Sequence, residues 1–497
     1  MNEKIDAAVY RKRRILLKNG RFINVKDGCY FDPDVSLIIQ DGRIVSMPGL
    51  PGERRGLETD HTVDLQGKAV APGFFNTHCH LQIIGGLLGN ADLRRRQVEK
   101  NLSDCLEYGV TNIRDAWSPD LQPNRDVIEK LGKGEMRGPR LYQSVVVSPF
   151  GGNCAPPLNP MNRMLFSFVD YDRRNAGCVA FRAEAGEREV RDAVNRAIDE
   201  RGADYIKFYD NYQKFMSGKP GGVVMTDRQL SAAADQARSR GVATTIHHTK
   251  ASLFRRDVAA GVDSLVHLPL DELLTEKDIA AFIAGNCFIE PTLSCSYALC
   301  WSIFSSRLKD YPQIAEVEGL RRNTIGKMLD EFWLPELASR HKKSYEKYIK
   351  GNFKAMGLFD FSAPSRRYTS GMPSVIENTR LLCINGAKDR IACGNDSTLN
   401  LYTEAAIHLE LDILKMYTDN AESAPVDAAD LLRMSTIQSA QAMKLEDRFG
   451  SVETGKTADL VLLDGDPLRD YHRIGSRAAA VFMDGALAVN HCGLQIL

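Results

Sequence analysis

The sequence predicts an α/β fold: a TIM-type (β/α)8 barrel with a small β-sandwich domain built from both chain ends. Three observations carry that expectation. Eight short apolar segments recur along the middle of the chain, and most are followed by a helical stretch, the alternation that builds a parallel barrel. Both ends instead show short alternating segments broken by Gly and Asp. The length of 497 residues exceeds one ordinary domain but suits a barrel with an accessory unit.

From Ile15 to about Leu65, RILLKNGRFINV and VSLIIQDGRIVSM read as antiparallel strands and hairpins, so residues 1–71 form the first part of the sandwich. The texture returns in KTADLVLLDG and AAAVFMDGALAV, which makes 446–497 its second part. Residues 72–445 form the barrel. Its candidate strands are GFFNTH near 75, VTNIRD near 112, RLYQSVVV near 144, DYIKFY near 207, TTIH near 246, SLVH near 265, CFIEPTL near 290 and RIACG near 392. The helix MTDRQLSAAADQARSRG illustrates the connections, with Thr226 as N-cap and Gly241 as terminator. About 95 residues separate the seventh strand from the eighth, more than one crossover needs, so an insertion occupies roughly 295–370. Its pattern is mainly helical, and it holds 12 aromatic residues, including Trp301 and Trp333, beside the basic run Arg340 to Lys343. Leaving a strand's C-terminal end, it starts at the pocket rim and reads as a substrate lid, or else as an oligomer contact or packing over the barrel side.

Lys plus Arg and Asp plus Glu are both 64, so the chain is formally neutral and no long-range field favours nucleic acid or an anionic membrane. No apolar run approaches the ~20 residues of a bilayer span. The start, MNEKIDAAVYRKRRILLKNG, lacks the layout of a secretory signal, so the expected location is cytoplasmic. Eleven cysteines without CxxC pairs argue for reduced, buried thiols rather than a disulfide framework or a zinc finger. The partner this leaves is a small-molecule substrate.

His78 and His80 stand two apart on a candidate strand, so both imidazoles share a face on which one cation can be chelated, while Cys79 points the other way. Lys207, His247 with His248, His267 and Asp396 fall at the C-terminal ends of the fourth, fifth, sixth and eighth strands, where a barrel places reacting groups. Each has a plain alternative: an ion-paired lysine, a hydrogen-bonded core histidine, a helix-capping aspartate. Five strand ends carrying ligand-type residues together point to a metal site.

APGFFNTHCH resembles the first-strand metal motif of the amidohydrolase superfamily, and GSVETGKTADLVLLDGDPL resembles its C-terminal motif. The resemblance runs through GVTNIRDA from Gly109, GADYIKFY from Gly202, GVDSLVH from Gly261 and ACGNDS from Ala392, covering most of the chain except the insertion. Within the superfamily it points towards binuclear, prolidase-like dipeptidases and related amide-cleaving enzymes. It implies a hydrolase that cleaves a C–N bond of an amide, carbamate or urea-like substrate by a metal-bridging hydroxide. It also implies two divalent metal ions, zinc first, with cobalt or manganese accepted by the same donors. His78 and His80 with Asp396 would hold one ion, and His247 with His267 the second. Lys207 would be carbamylated, because CO2 addition supplies the two anionic oxygens that a bridge between dications requires. Asp396 would be the catalytic proton carrier. The family spacing from Gly241 selects His247 as ligand and leaves His248 towards substrate; Tyr209, just beyond Lys207 by strand alternation, would hydrogen-bond the developing oxyanion, Asn153 is a further substrate contact, and the assembly implied is a homo-oligomer.

Two positions depart from the pattern. Asn76 stands where many relatives have Asp, a substitution also seen in superfamily deaminases, so a mononuclear deaminase is the alternative, with a non-catalytic scaffold third. In SPFGGNCAPP, Asn153 replaces the histidine of a Gly-Gly-His segment, which argues against dipeptide specificity. The neutral chain and aromatic insertion favour a hydrophobic or aryl-bearing substrate.

Overall fold

Short alternating strands at the chain's two ends make two sheets that bury one shared core. In the computed structural model, which describes residues 13–53, 56–81, 91–118, 120–152, 177–209, 222–298, 330–339, 342–343, 362–397, 402–419 and 425–495, seven strands precede the barrel. They are β1 (Ile15–Lys18), β2 (Arg21–Asn24), β3 (Cys29–Tyr30), β4 (Leu37–Gln40), β5 (Arg43–Ser46), β6 (His61–Asp64) and β7 (Ala69–Pro72). One sheet runs β5-β4-β1-β6. In the other, β7 pairs antiparallel with Leu460–Leu463 near the chain end, so both termini share one ladder. Ile15, Leu17, Leu37, Ile39 and Val63 of the first sheet meet Phe22, Val70, Leu460, Leu462 and Phe482 of the second, all buried. Joining distant ends this way removes from water apolar faces that neither end could cover alone.

The barrel follows in β8 (Phe74–Cys79), β9 (Val110–Asp115), β10 (Arg140–Pro149), β11 (Cys178–Phe181), β12 (Tyr205–Tyr209), β13 (Ala243–His247), β14 (Ser264–Val266) and β15 (Phe288–Glu290). Seven of them form a parallel path, β8-β9-β10-β12-β13-β14-β15. β11, which periodicity alone did not single out, lies beside the C-terminal half of β10 with Val146 opposite Cys178. The eighth place belongs to residues 391–396. Ile391 bridges Ile289 in parallel, the Ala392 N–H donates to the Ile289 carbonyl at 2.8 Å, and the Thr77 N–H donates to the Cys393 carbonyl at 2.8 Å.

Helices cover this sheet as the alternation predicts. In Asp227–Ser239, Thr226 caps through a reciprocal capping box with Gln229, and Leu230, Ala233, Ala234 and Ala237 form the buried stripe. Parts of the insertion are also described. Residues 330–339 pack on α1 (Ala91–Glu107), with the Gln97 amide donating to the Phe332 carbonyl at 2.8 Å and accepting from the Leu334 N–H at 2.9 Å. Trp333 is fully buried there, so this stretch packs over the barrel side; Trp301 and Asn153 lie outside the described residues. Among the described residues no helix is long and apolar enough to cross a membrane.

Gly109 precedes β9 with φ +74, and a Cβ there would sit 2.7 Å from Val461 Cγ1 and 3.0 Å from the Phe74 ring. Gly109→Ala should destabilise the protein by about 1–3 kcal/mol in denaturant unfolding, through overpacking and a left-handed backbone.

Candidate metal centre

β8 delivers His78 at its C-terminal end and His80 just beyond it, both buried, with ring centroids 5.3 Å apart. Cys79 faces the opposite way and donates to the Arg114 carbonyl at 3.3 Å, as strand alternation requires. The closing segment 391–396 brings Asp396 onto the same spot. Its Oδ1 lies 3.3 Å from His80 Nε2 and 3.7 Å from His78 Nε2, and its Oδ2 lies 3.9 Å from His267 Nε2. One ligand atom from each of His78, His80 and Asp396 falls within 4.8 Å of the others.

Three imidazoles therefore turn Nε2 towards one carboxylate, and His80 and His267 are hydrogen-bonded at Nδ1. His78 Nδ1 lies 3.4 Å from Glu290 Oε2, His80 Nδ1 donates to the Trp117 carbonyl at 3.1 Å, and His267 Nδ1 lies 2.5 Å from Thr292 Oγ1. Such backing fixes ring orientation and leaves the other nitrogen for a metal. Glu290 is itself held by Arg114 at 2.5 Å, both fully buried, with Arg114 over the Tyr205 ring. The backbone is strained at this face: His267, Thr292 and Asp396 take φ values of 71°, 50° and 46°, which non-glycine residues rarely adopt.

Burial drives the electrostatics. It pushes the His78 and His247 pKa values well below the ordinary imidazole range, assisted at His78 by Lys207 and at His247 by His267 and Lys207. His267 falls to about 4, again through burial, despite the opposing pull of Asp396. These rings are neutral at pH 7 and hold a lone pair for a cation. Burial opposes ionisation of Asp396, yet the hydrogen bond from His80 and the neighbouring histidines hold it well below the carboxylate range. Two buried imidazoles and one buried carboxylate, with neutral rings alongside, fit a divalent cation.

The remaining residues singled out in the sequence divide. His247 joins the cluster, its ring 4.5 Å from that of His267 and 5.2 Å from that of Tyr209. Among the described residues its Nε2 is buried without a hydrogen-bond partner. Lys207 is fully buried on β12, with Nζ 5.4 Å from the Tyr209 ring centroid. His248 turns the other way, 5.7 Å from the Phe254 ring with Nδ1 4.0 Å from Asp257, both on Ala251–Ala259. A substrate contact for His248 therefore does not follow from its surroundings, because successive residues leave a strand on opposite sides.

Asn76 gains a structural reason. Its Nδ2 donates to Asn395 Oδ1 and to the Glu404 carbonyl, both at 2.9 Å, while its Oδ1 accepts from the N–H groups of Asn395 and His78. An ionised aspartate could not donate to those two acceptors, so Asn76 belongs to the barrel seam. The backing groups Trp117, Glu290 and Thr292 carried no sequence signal beyond proximity to strand ends.

Residues 69–490 match the amidohydrolase family. The chain belongs to that family. Eighty-one residues, 16% of this amidohydrolase, are 35% identical to a 5-methylthioadenosine/S-adenosylhomocysteine deaminase of Caldanaerobacter subterraneus subsp. tengcongensis, a match that spans 18% of that relative's length. A prolidase crystallised with N-methylphosphonate-L-proline has a TM-score of 0.68 at 19% identity, covering 96% of this chain and 100% of that one. Phenylurea hydrolase B has a TM-score of 0.60 at 18% identity, covering 97% and 98%. These likenesses establish the fold.

Asn76→Asp should cost this amidohydrolase about 2–4 kcal/mol at neutral pH, with partial recovery as acid restores a donor; unfolding at several pH values measures it. Burial also raises the Glu404 side chain from 4.5 to about 7. The stability tied to its neutral form is present below 4.5 and lost as pH rises through about 7. Glu404→Gln should therefore exceed the wild type in melting temperature near about pH 8 and lose that advantage near about pH 4.

Proposed function

We propose that this amidohydrolase is a binuclear metal-dependent hydrolase that cleaves the C–N bond of an amide, carbamate or urea-like substrate bearing a hydrophobic or aryl group. The carrying observation is the convergence of the His78, His80 and His267 Nε2 atoms on Asp396, with Lys207 and His247 alongside. His78, His80 and Asp396 would hold one ion, His247 and His267 the other, with carbamylated Lys207 between them; zinc suits this donor set, as do cobalt and manganese. When bound, the two cations supply Lewis acidity towards the substrate carbonyl and a water acidified to near neutral pH.

The protein's own groups do the rest. Asp396, kept ionised by His80, accepts the attacking water's proton and returns it to the leaving nitrogen. Tyr209, whose ring lies 5.2 Å from that of His247, would donate to the oxygen on which charge develops. Trp117, Phe150 and Tyr209 pack half-buried against Val146 and Cys178, beyond or at the C-terminal ends of β9, β10 and β12. Because the Trp117 carbonyl holds His80, this aromatic wall begins at the metal ligands, which supports an apolar or aryl group on the substrate. Phenylurea hydrolase B, by its name, acts on a substrate of that kind.

A mononuclear deaminase is the second reading, favoured by the short match to a protein of that name. Lys207 separates the two, because a single-ion site needs no bridging carbamate. Purified protein should contain two divalent ions per chain and should turn over arylureas, carbamates or aryl amides. His78→Ala and Lys207→Ala should each lower kcat/KM roughly a thousandfold or more. One ion per chain with an unmodified Lys207 would select the deaminase.

A further inference from the structure

His267 is aimed by a device that lies outside the ligand cluster. The residue follows β14 with φ 71°, and its Nδ1 meets Thr292, a β-branched residue at φ 50°, in the segment after β15. The Thr292 hydroxyl has one proton, which it donates to the Pro291 carbonyl at 2.7 Å. Towards His267 the oxygen can then only accept, so His267 carries its proton on Nδ1 and presents a bare Nε2 towards Asp396.

The strained Thr292 conformation is held by the next two residues. Glu410, buried on Ile407–Thr418, accepts from the Leu293 N–H, the Ser294 N–H and the Ser294 hydroxyl, each at 2.7 Å. That helix follows the segment that closes the barrel, and none of its residues belongs to the His78–His80–Asp396 cluster.

We propose that Glu410 and Thr292 are positioning residues that lock His267 in its Nδ1–H tautomer and so set the affinity of one metal subsite. The inference rests on His267 being a metal ligand. Thr292 sets the proton, and Glu410 clamps the backbone that presents Thr292.

The test is a zinc titration of apo-protein against a chromophoric chelator, with apo-protein melting temperature as the second readout. Thr292→Val keeps the branched shape and removes the hydroxyl; it should weaken one zinc affinity about 10- to 100-fold while the apo-protein melts near the wild type. Thr292→Ser restores the oxygen and should bind within about threefold of the wild type. Glu410→Gln removes one acceptor and should weaken the same affinity. Wild-type zinc affinity in Thr292→Val, or weakening in Thr292→Ser equal to that in Thr292→Val, overturns the proposal. If His267→Ala leaves both zinc affinities unchanged, the ligand assignment of His267 fails and takes the proposal with it. A wild-type protein that takes up no divalent ion overturns the functional reading itself.

Discussion

The contact between Gly394 and His78 closes the barrel, and the metal centre depends on that closure. A Cβ at position 394 would lie 2.8 Å from His78 Cβ and 2.9 Å from its backbone nitrogen, so only glycine lets residues 391–396 run this close to β8. The Asp396 N–H then reaches the His78 carbonyl at 2.8 Å, and the Asn76–Asn395 pair pins the seam from behind. A carboxylate and two imidazoles far apart in sequence arrive together because a single missing methyl group allows two backbones to touch.

What the seam assembles is a set of imidazole lone pairs gathered around one ionised carboxylate. Neutral His78, His247 and His267 surround ionised Asp396, which holds the His80 pKa up, in a water-poor interior where an uncompensated charge is expensive. A bound dication relieves that cost and turns lone pairs into bonds. Hydrogen bonds to the Trp117 carbonyl and Thr292 keep the His80 and His267 rings from rotating away, and the left-handed backbone at His267, Thr292 and Asp396 is the strain that this order requires.

Among the described residues, aromatic side chains of the insertion take different places. Phe332 and Trp333 are buried where residues 330–339 pack on α1. Tyr368, at the insertion's far end, lies 6.5 Å from the His267 ring. One part of the insertion is therefore tied to the barrel side while its end reaches the metal face, a division that composition cannot express.

Local patterns in the sequence determined the strands, their order and the strand-end positions of His78, His80, Lys207, His247, His267 and Asp396, because alternation and turn residues act over a few neighbours. The same patterns could not choose between His247 and His248, since a strand end read one residue out of step exchanges its faces. In the folded chain the His247 ring lies beside that of His267 and the His248 ring beside that of Phe254. Likewise the four-residue β11, the use of the Asn76 amide at the seam and the clamp from Glu410 to Thr292 are tertiary decisions. Each depends on hydrogen bonds between segments distant in sequence, and those partners exist only once the barrel has closed.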